Sequence, residues 1–182
     1  MCNGVADMIE ISCRGKQKGN GEWVKGFYTI TTIFGENVAY LAPVIHGIPK
    51  AVFDCASYEI IPETVGQFTG LYDSTTWEEL TPEEQNAFLH QPDGWENTED
   101  VWPGKEIYTG DIISYIAPDD LHAIGVVRFG NYGDTSLNVG FYVEWVKPFA
   151  AKWLRQDIRF WTIARETRII GNIHDNPELL EG

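Results

Sequence analysis

His174 stands beside Asp175, and of the four histidines (His46, His90, His122 and His174) it is the one best placed to meet a carboxylate. A capped surface turn explains that pair better than a catalytic dyad. The histidines are scattered without HExxH or paired-ligand spacing, so no metal site is read from them. Adjacent carboxylates occur at Glu78-Glu79, Glu83-Glu84 and Asp119-Asp120, all in polar stretches. General acid–base work needs a carboxylate in a cleft that perturbs its pKa, and nothing in these stretches indicates one. The glycine-rich "GNYGDTS" (130–136) lies between apolar segments and reads as a hairpin loop rather than a phosphate cradle. There is no GxxxxGK[ST] loop, GxSxG elbow or GxGxxG opening a helix. These patterns call for no catalytic residue and no cofactor, and leave enzyme activity undecided.

One stretch combines chemistry-bearing types more densely. Lys152, Arg155, Arg159, Arg165 and Arg168 are interleaved with Trp153, Phe160 and Trp161. Such a mixture suits single-stranded nucleic acid or anion recognition. A packed aromatic element whose arginines reach out to water explains it better, with docking against an acidic protein second and nucleic acid third. Arg155, Arg159, Trp161 and Arg165 are therefore candidate partner-binding residues, together with Trp77, Trp95 and Trp102 of the acidic segment described next.

Charge narrows the partners. The chain has 182 residues and a formal net charge of −14. Residues 74–102 carry eight acids and no base, more than half of that excess. Such a surface repels phosphate backbones, so generic nucleic acid binding is disfavoured. No apolar run approaches the roughly 18–20 residues needed to cross a bilayer. "MCNGVADMIEI" lacks a basic region followed by an apolar stretch, so no secretory signal is expected. Cys2, Cys13 and Cys55 form an odd set without CxxC spacing, which points to a reducing cytoplasm, with Cys13 and Cys55 as small core residues.

The elements that must position these residues are mostly strands. Met8, Ile9, Ile11 and Cys13 predict a first strand ending at Arg14-Gly15, and Gly19-Asn20-Gly21 supplies hairpin turn chemistry. Trp23–Phe34 is β-branched or aromatic almost throughout, which argues strand. "ENVAYLAPVIHGIPKAVF" predicts a short strand and an irregular loop, and "YEIIPETV" a strand and a turn. "GDIISYIA", "AIGVVRFG" and "VGFYVEWV" predict three short strands of a small, bent barrel or sandwich, with Gly110, Gly125, Gly130 and Gly140 at ends or bends. Residues 149–165 fit helix and strand alike. "TRIIGNI" predicts a terminal strand, and Asn176-Pro177 a last turn carrying Leu179 and Leu180.

The acidic segment breaks this pattern. Thr81 as cap, Pro82 in the first helical position and Glu84 three residues after the cap form a capping box, predicting a helix from Pro82 to His90. A shorter turn starts at Thr75 or Thr76. The segment holds Trp77, Leu80, Phe88, Leu89, Trp95 and Trp102, too apolar for a solvated loop. They are expected to pack on the β body or a neighbouring subunit, with Glu78, Glu79, Glu83 and Glu84 outward and the arginine-rich stretch as the complementary surface. The organisation expected is an N-terminal β portion (1–73), an acidic helical insertion (74–103) and a C-terminal β portion (104–182).

Several blocks then resemble, in order, those of the YopX-like family of phage and prophage proteins. They are "RGK" (14–16), "GEWVKGFY" (21–28), "TVGQFTGLYD" (64–73), "GKEIYTGDII" (104–113), "GVVRFG", "GFYVEW" and "IIGNIHDNPELL" (169–180). The resemblance spans Met8–Leu180 apart from Ser74–Pro103, which departs from the family's usual short connection. It implies a mainly β protein with an SH3-like barrel in the C-terminal half, from a bacterial phage or prophage, acting in the host cytoplasm. It implies no reaction, so no catalytic residue is carried over. The expected role is an accessory, non-enzymatic protein that binds a host protein or small ligand. The alternative is an acidic inhibitor imitating nucleic acid charge, and self-association is left open. The blocks also have a purely architectural explanation. Gly66, Gly70, Gly110 and Gly171 suit special backbone positions, and Asp73, Asp111 and Asn172 suit turn hydrogen bonds.

Overall fold

A computed structural model of the chain describes residues 12–45, 48–49, 57–90, 96–116, 122–132, 138–147, 157–162 and 167–181. The chain divides into two compact units, Met1–Gly70 and Leu71–Gly182. The division falls three residues before the expected boundary at 73, and the acidic insertion lies inside the second unit.

The first unit is antiparallel sheet. Its strands are β1 (Cys13–Lys16), β2 (Trp23–Ile33), β3 (Glu36–Ala42), β4 (Val44–Ile45), β5 (Ile48–Pro49), β6 (Tyr58–Glu59) and the start of β7 (Gly66–Tyr72). The main sheet runs β6-β3-β2-β1-β7, while β4 and β5 pair separately. The Gly19-Asn20-Gly21 turn joins β1 to β2 as expected, with the Glu22 N–H donating to Asn20 Oδ1. A two-residue turn, Phe34-Gly35, joins β2 to β3 with both residues at positive φ (51° and 87°). The primed turn matches the twist of a hairpin, but a phenylalanine in it is unusual. Leu41, Ile60, Ala39 and Cys13 form the core. Burial raises the Cys13 thiol pKa, as befits a small core residue. Met8–Ile11, Cys2 and Cys55 lie outside the described residues.

In the second unit β8 (Glu106–Tyr108) lies next to the end of β7. A four-stranded antiparallel sheet follows in the order β11 (Val139–Lys147), β10 (His122–Asn131), β9 (Asp111–Ile116), β12 (Thr167–Asn172). All three central apolar runs and the terminal run are thus strands, as predicted. Alternate residues of these strands (Ile113, Val127, Val143 and Trp145) bury one face against Ile107, Ile158 and Trp161. The pairing of β10 with β11 shifts between Ile124 and Gly125, and a Cβ on Gly125 would stand 2.6 Å from Val143 and 2.8 Å from Trp145. A bulged strand that comes this close to its neighbour's side chains needs glycine there. The ambiguous 149–165 stretch contains a short helix, α2 (Ile158–Thr162). Among the described residues the sheet is open and closes no barrel. No helix among the described residues is long and apolar enough to cross a membrane.

Candidate functional site

The join between "TVGQFTGLYD" and "GKEIYTGDII" is built around one carboxylate. Asp73 is 6% exposed. Its Oδ1 accepts from the Thr75 N–H (3.0 Å) and the Lys105 N–H (2.9 Å). Its Oδ2 accepts from the Thr75 hydroxyl (2.8 Å) and the Ile169 N–H (3.0 Å). Its own N–H donates to the Lys105 carbonyl. One side chain therefore holds the end of β7, the first residues of the insertion, the approach to β8 and the middle of β12. Both ends of the insertion meet here, between strands, as the sequence suggested. Ser74 adds two bonds, donating its N–H and its hydroxyl to the carbonyl of buried Thr167.

A second join ties the remaining blocks together. Fully buried Asp111 accepts from the Tyr108 N–H (2.8 Å) and from the Asn172 side-chain amide (3.3 Å). The Ile173 N–H donates to the Gly110 carbonyl, and Asn172 Oδ1 accepts from the His174 N–H. The "YTGD" and "IIGNIHDN" blocks thus meet through turn backbone. Gly70 and Gly110 stand at φ 77° and 88°. The architectural explanation of the blocks describes these positions, and His174 belongs to the turn after β12.

The insertion carries two capping boxes five residues apart. Thr76 and Glu79 cap a 3₁₀ turn, Trp77–Glu79; Thr81 and Glu84 cap α1 (Pro82–Leu89). The helix ends one residue short of the expected His90, which serves as its C-cap. Each capping glutamate has a second task. Glu79 pairs with Arg168, and Glu84 with Lys105 at 2.7 Å. The Glu79 carboxyl pKa is lowered, first by the Thr76 N–H and then by Arg168; that of Glu84 is lowered, first by Lys105 and then by the Thr81 N–H. Glu79 thus faces outward as expected while reaching the arginine-rich stretch, and Glu84 is half-buried against Lys105. Glu78 and Glu83 are exposed.

The insertion's rings find one another. Phe88 and Trp102 meet edge-on at 4.9 Å, and Trp77 lies 5.8 Å from Phe88 and 6.1 Å from Trp102. The Trp102 indole N–H donates to the Thr75 carbonyl (2.8 Å). Half-buried Trp77 and Trp102 are thus brought together as a small aromatic core of the insertion itself. Trp161, by contrast, is 4% exposed and packs on Trp145 (4.9 Å) and Tyr115 (5.3 Å). Its ring belongs to the core because α2 turns Ile158 and Trp161 onto the sheet. Arg159 is exposed, and its N–H donates to Asp157. Trp95, Arg155 and Arg165 lie outside the described residues. Among the described residues no three His, Cys, Asp or Glu side chains are grouped to hold a metal ion.

Two features escaped the sequence reading. In the first unit a groove of about 260 Å³ runs beside β3, over Val38, Ile60, Ile61 and Pro62, with Lys18 and Glu36 on its rim. In the second, Phe129 and Phe141 stack edge-on at 5.1 Å near exposed Val139, at the ends of β10 and β11. The apolar alternation of these strands continues past the covered part of the sheet, and strand pattern alone cannot show where cover stops.

Residues 102–181 match the family model described as YopX protein. The match takes in the second half of the Asp73 join, all of the Asp111–Asn172 join and every strand from β8 to β12; the N-terminal blocks lie outside it. No curated protein and no solved structure matches the chain. Over residues 102–181 the chain is similar to the YopX family.

Proposed function

We propose that the chain is an accessory binding protein of phage or prophage origin that engages a protein partner in the cytoplasm of a bacterial host, without catalysing a reaction. The observation that carries this reading is where large apolar side chains remain uncovered. Phe34 at the β2–β3 tip is fully exposed, and Phe129 and Val139 are more than half exposed at one end of the second sheet. Contiguous exposed apolar groups mark interaction surfaces more often than scattered ones. The family blocks, meanwhile, are engaged in backbone hydrogen bonds at Asp73 and Asp111. The second unit is read as a variation on an SH3-like plan. Its bulges at Ile124/Gly125 and Ile169/Gly171 supply the bends that a small barrel uses. Capture from host lysate by the full chain, lost in a Phe129→Ser/Val139→Ser variant of unchanged melting temperature, supports the reading. Undiminished capture by that variant removes this surface from it.

A second reading, an acidic inhibitor of a host enzyme that handles DNA or RNA, draws on the insertion. Glu78, Glu83, Glu99 and Asp100 are exposed there, on a segment anchored by its own cores and bridges. Neutralising those four acids abolishes salt-sensitive capture under this reading and leaves capture unchanged under the first.

A further inference from the structure

Among the described residues the outer edge of β3 is only partly occupied. β6 pairs with it at Tyr40 and Leu41, and the Ile60 N–H donates to the Ala39 carbonyl (3.0 Å). The chain then leaves the edge: the Ile61 N–H donates to the Lys16 carbonyl, and a 3₁₀ turn follows at Pro62–Thr64. In an antiparallel ladder alternate residues turn their N–H and C=O to opposite sides. Ile33 and Glu36 close the β2–β3 turn, so Glu36 and Val38 face β2, whereas Asn37 and Ala39 face outward. Ala39 has Ile60. The outward peptide groups of Asn37 have no hydrogen-bond partner among the described residues. Next to this open position lies the groove floored by Val38, Ile60, Ile61 and Pro62.

We propose that the open edge of β3 at Asn37 and the groove beside it bind an extended basic segment of a partner protein as an added β-strand. The inference rests on the binding-protein reading above and names the class of partner. Three properties select this occupant. The exposed peptide groups demand a backbone in extended form, which a compact metabolite does not offer. The groove, at about 260 Å³, falls below the usual 300–1,000 Å³ of small-molecule sites but takes one branched aliphatic side chain. The rim is acidic in balance. Lys18 is tied to Glu59 at 2.6 Å, while Glu36 stands exposed at the mouth. With a chain charge of −14, a cationic segment is steered toward the protein and an anionic one, or a second copy of this chain, is repelled. An apolar residue in the groove, followed by a lysine or arginine at Glu36, is the fitting pattern.

The test uses the full chain, labelled with ¹⁵N, and two synthetic capped peptides. One is Lys-Val-Lys-Val-Lys-Val-Lys; the other replaces the central valine by proline, keeping the charge but denying the strand. The expected result is that only the first shifts and protects the Asn37 amide. Glu36→Lys weakens its binding about fivefold, the scale of one exposed ion pair. Asn37→Pro, which removes an outward N–H and leaves the β2 ladder intact, abolishes it. Equal binding of both peptides, or shifts confined to the acidic insertion, overturns the proposal as mere charge attraction. Protection of Asn37 in the free protein also overturns it: if concentration-dependent, a second copy holds the edge, and if not, the chain itself does. Failure here with lysate capture still dependent on Phe129 and Val139 removes this site and leaves the binding-protein reading in place.

Discussion

The carbonyl oxygen of Asp73 occupies the space in which a side chain on Gly104 would begin. Gly104 also stands at φ 108°, a conformation that L side chains rarely adopt. Backbone strain and a backbone clash thus coincide at the point where the insertion returns to the sheet. Gly104→Ala is expected to destabilise the second unit by about 2–4 kcal/mol, read as a lowered urea midpoint with unchanged slope.

Asp73→Ala tests the other half of the same contact. The substitution leaves the N–H groups of Thr75, Lys105 and Ile169 without the acceptor each now uses. Hydrogen bonds to a charged acceptor contribute about 1.5–3 kcal/mol, and buried donors left unmet cost a similar amount each. A loss of about 3 kcal/mol or more is expected. Asp73→Asn recovers only part of it, because one amide oxygen replaces two carboxylate oxygens.

The pair Asp111 and Asn172 makes an asymmetric prediction. Asp111 needs two acceptor oxygens, one for the Tyr108 N–H and one for the Asn172 amide. Asp111→Asn supplies one, and is expected to cost about 1–2 kcal/mol. Asn172→Asp instead places a second carboxylate against a fully buried first and removes the donor between them. It is expected to cost more, and the excess should shrink on acidification, because protonating either carboxyl relieves the repulsion. Melting temperatures of both variants at pH 7 and pH 5 check the difference.

Where the sequence was legible, it was so because one local rule decided the outcome. Thr81-Pro82 and Glu84 predict α1 to within a residue, since capping box and helical proline act within a single turn. Strands β9 to β12 follow from apolar alternation. The joins were visible only as residue types: Asp73, Asp111 and Asn172 suit turns, but that Asp73 reaches Ile169, 96 positions away, depends on strand order. Trp161 was open to two readings for a related reason, and its burial agrees with the packed one. Its neighbours Arg159 and Arg165 suggested a basic-aromatic surface, whereas the five-residue helix around it turns the ring inward. The groove at Asn37 depends on where β6 leaves β3, which no run of residues announces.

The capping glutamates set a pH dependence. Glu79 and Glu84 both have carboxyl pKa values below the usual 4.5. Between the folded and unfolded values the unfolded chain binds more protons, so stability falls with falling pH there. The contribution is fully present above about pH 4.5 and is lost as the pH drops through the folded values. The protection factors of α1 amides, corrected for intrinsic exchange at each pH, are expected to fall over that window. A Glu79→Gln/Glu84→Gln variant should show lower protection at neutral pH and a smaller loss of protection with acid.

Deleting the insertion distinguishes what it contributes from what merely holds it. Its ends abut at Asp73 and Lys105, so the scaffold tolerates a short connection, and loop length itself costs only about 0.6 kcal/mol per doubling. The Trp77, Phe88 and Trp102 rings pack on one another and leave together. Ser74 and Thr75 are different, because they serve the body: Ser74 satisfies the carbonyl of buried Thr167, and Thr75 shares Asp73. Removing Ser74–Pro103 is therefore expected to cost about 2–3 kcal/mol, the scale of an orphaned buried carbonyl plus weakened bonds to a carboxylate. Removing only Thr76–Trp102 keeps those contacts and is expected to retain most of the stability, with unchanged mass in light scattering. If the shorter deletion aggregates while staying folded by circular dichroism, the three rings cover apolar surface beyond their own cluster, and the insertion is part of the body's core.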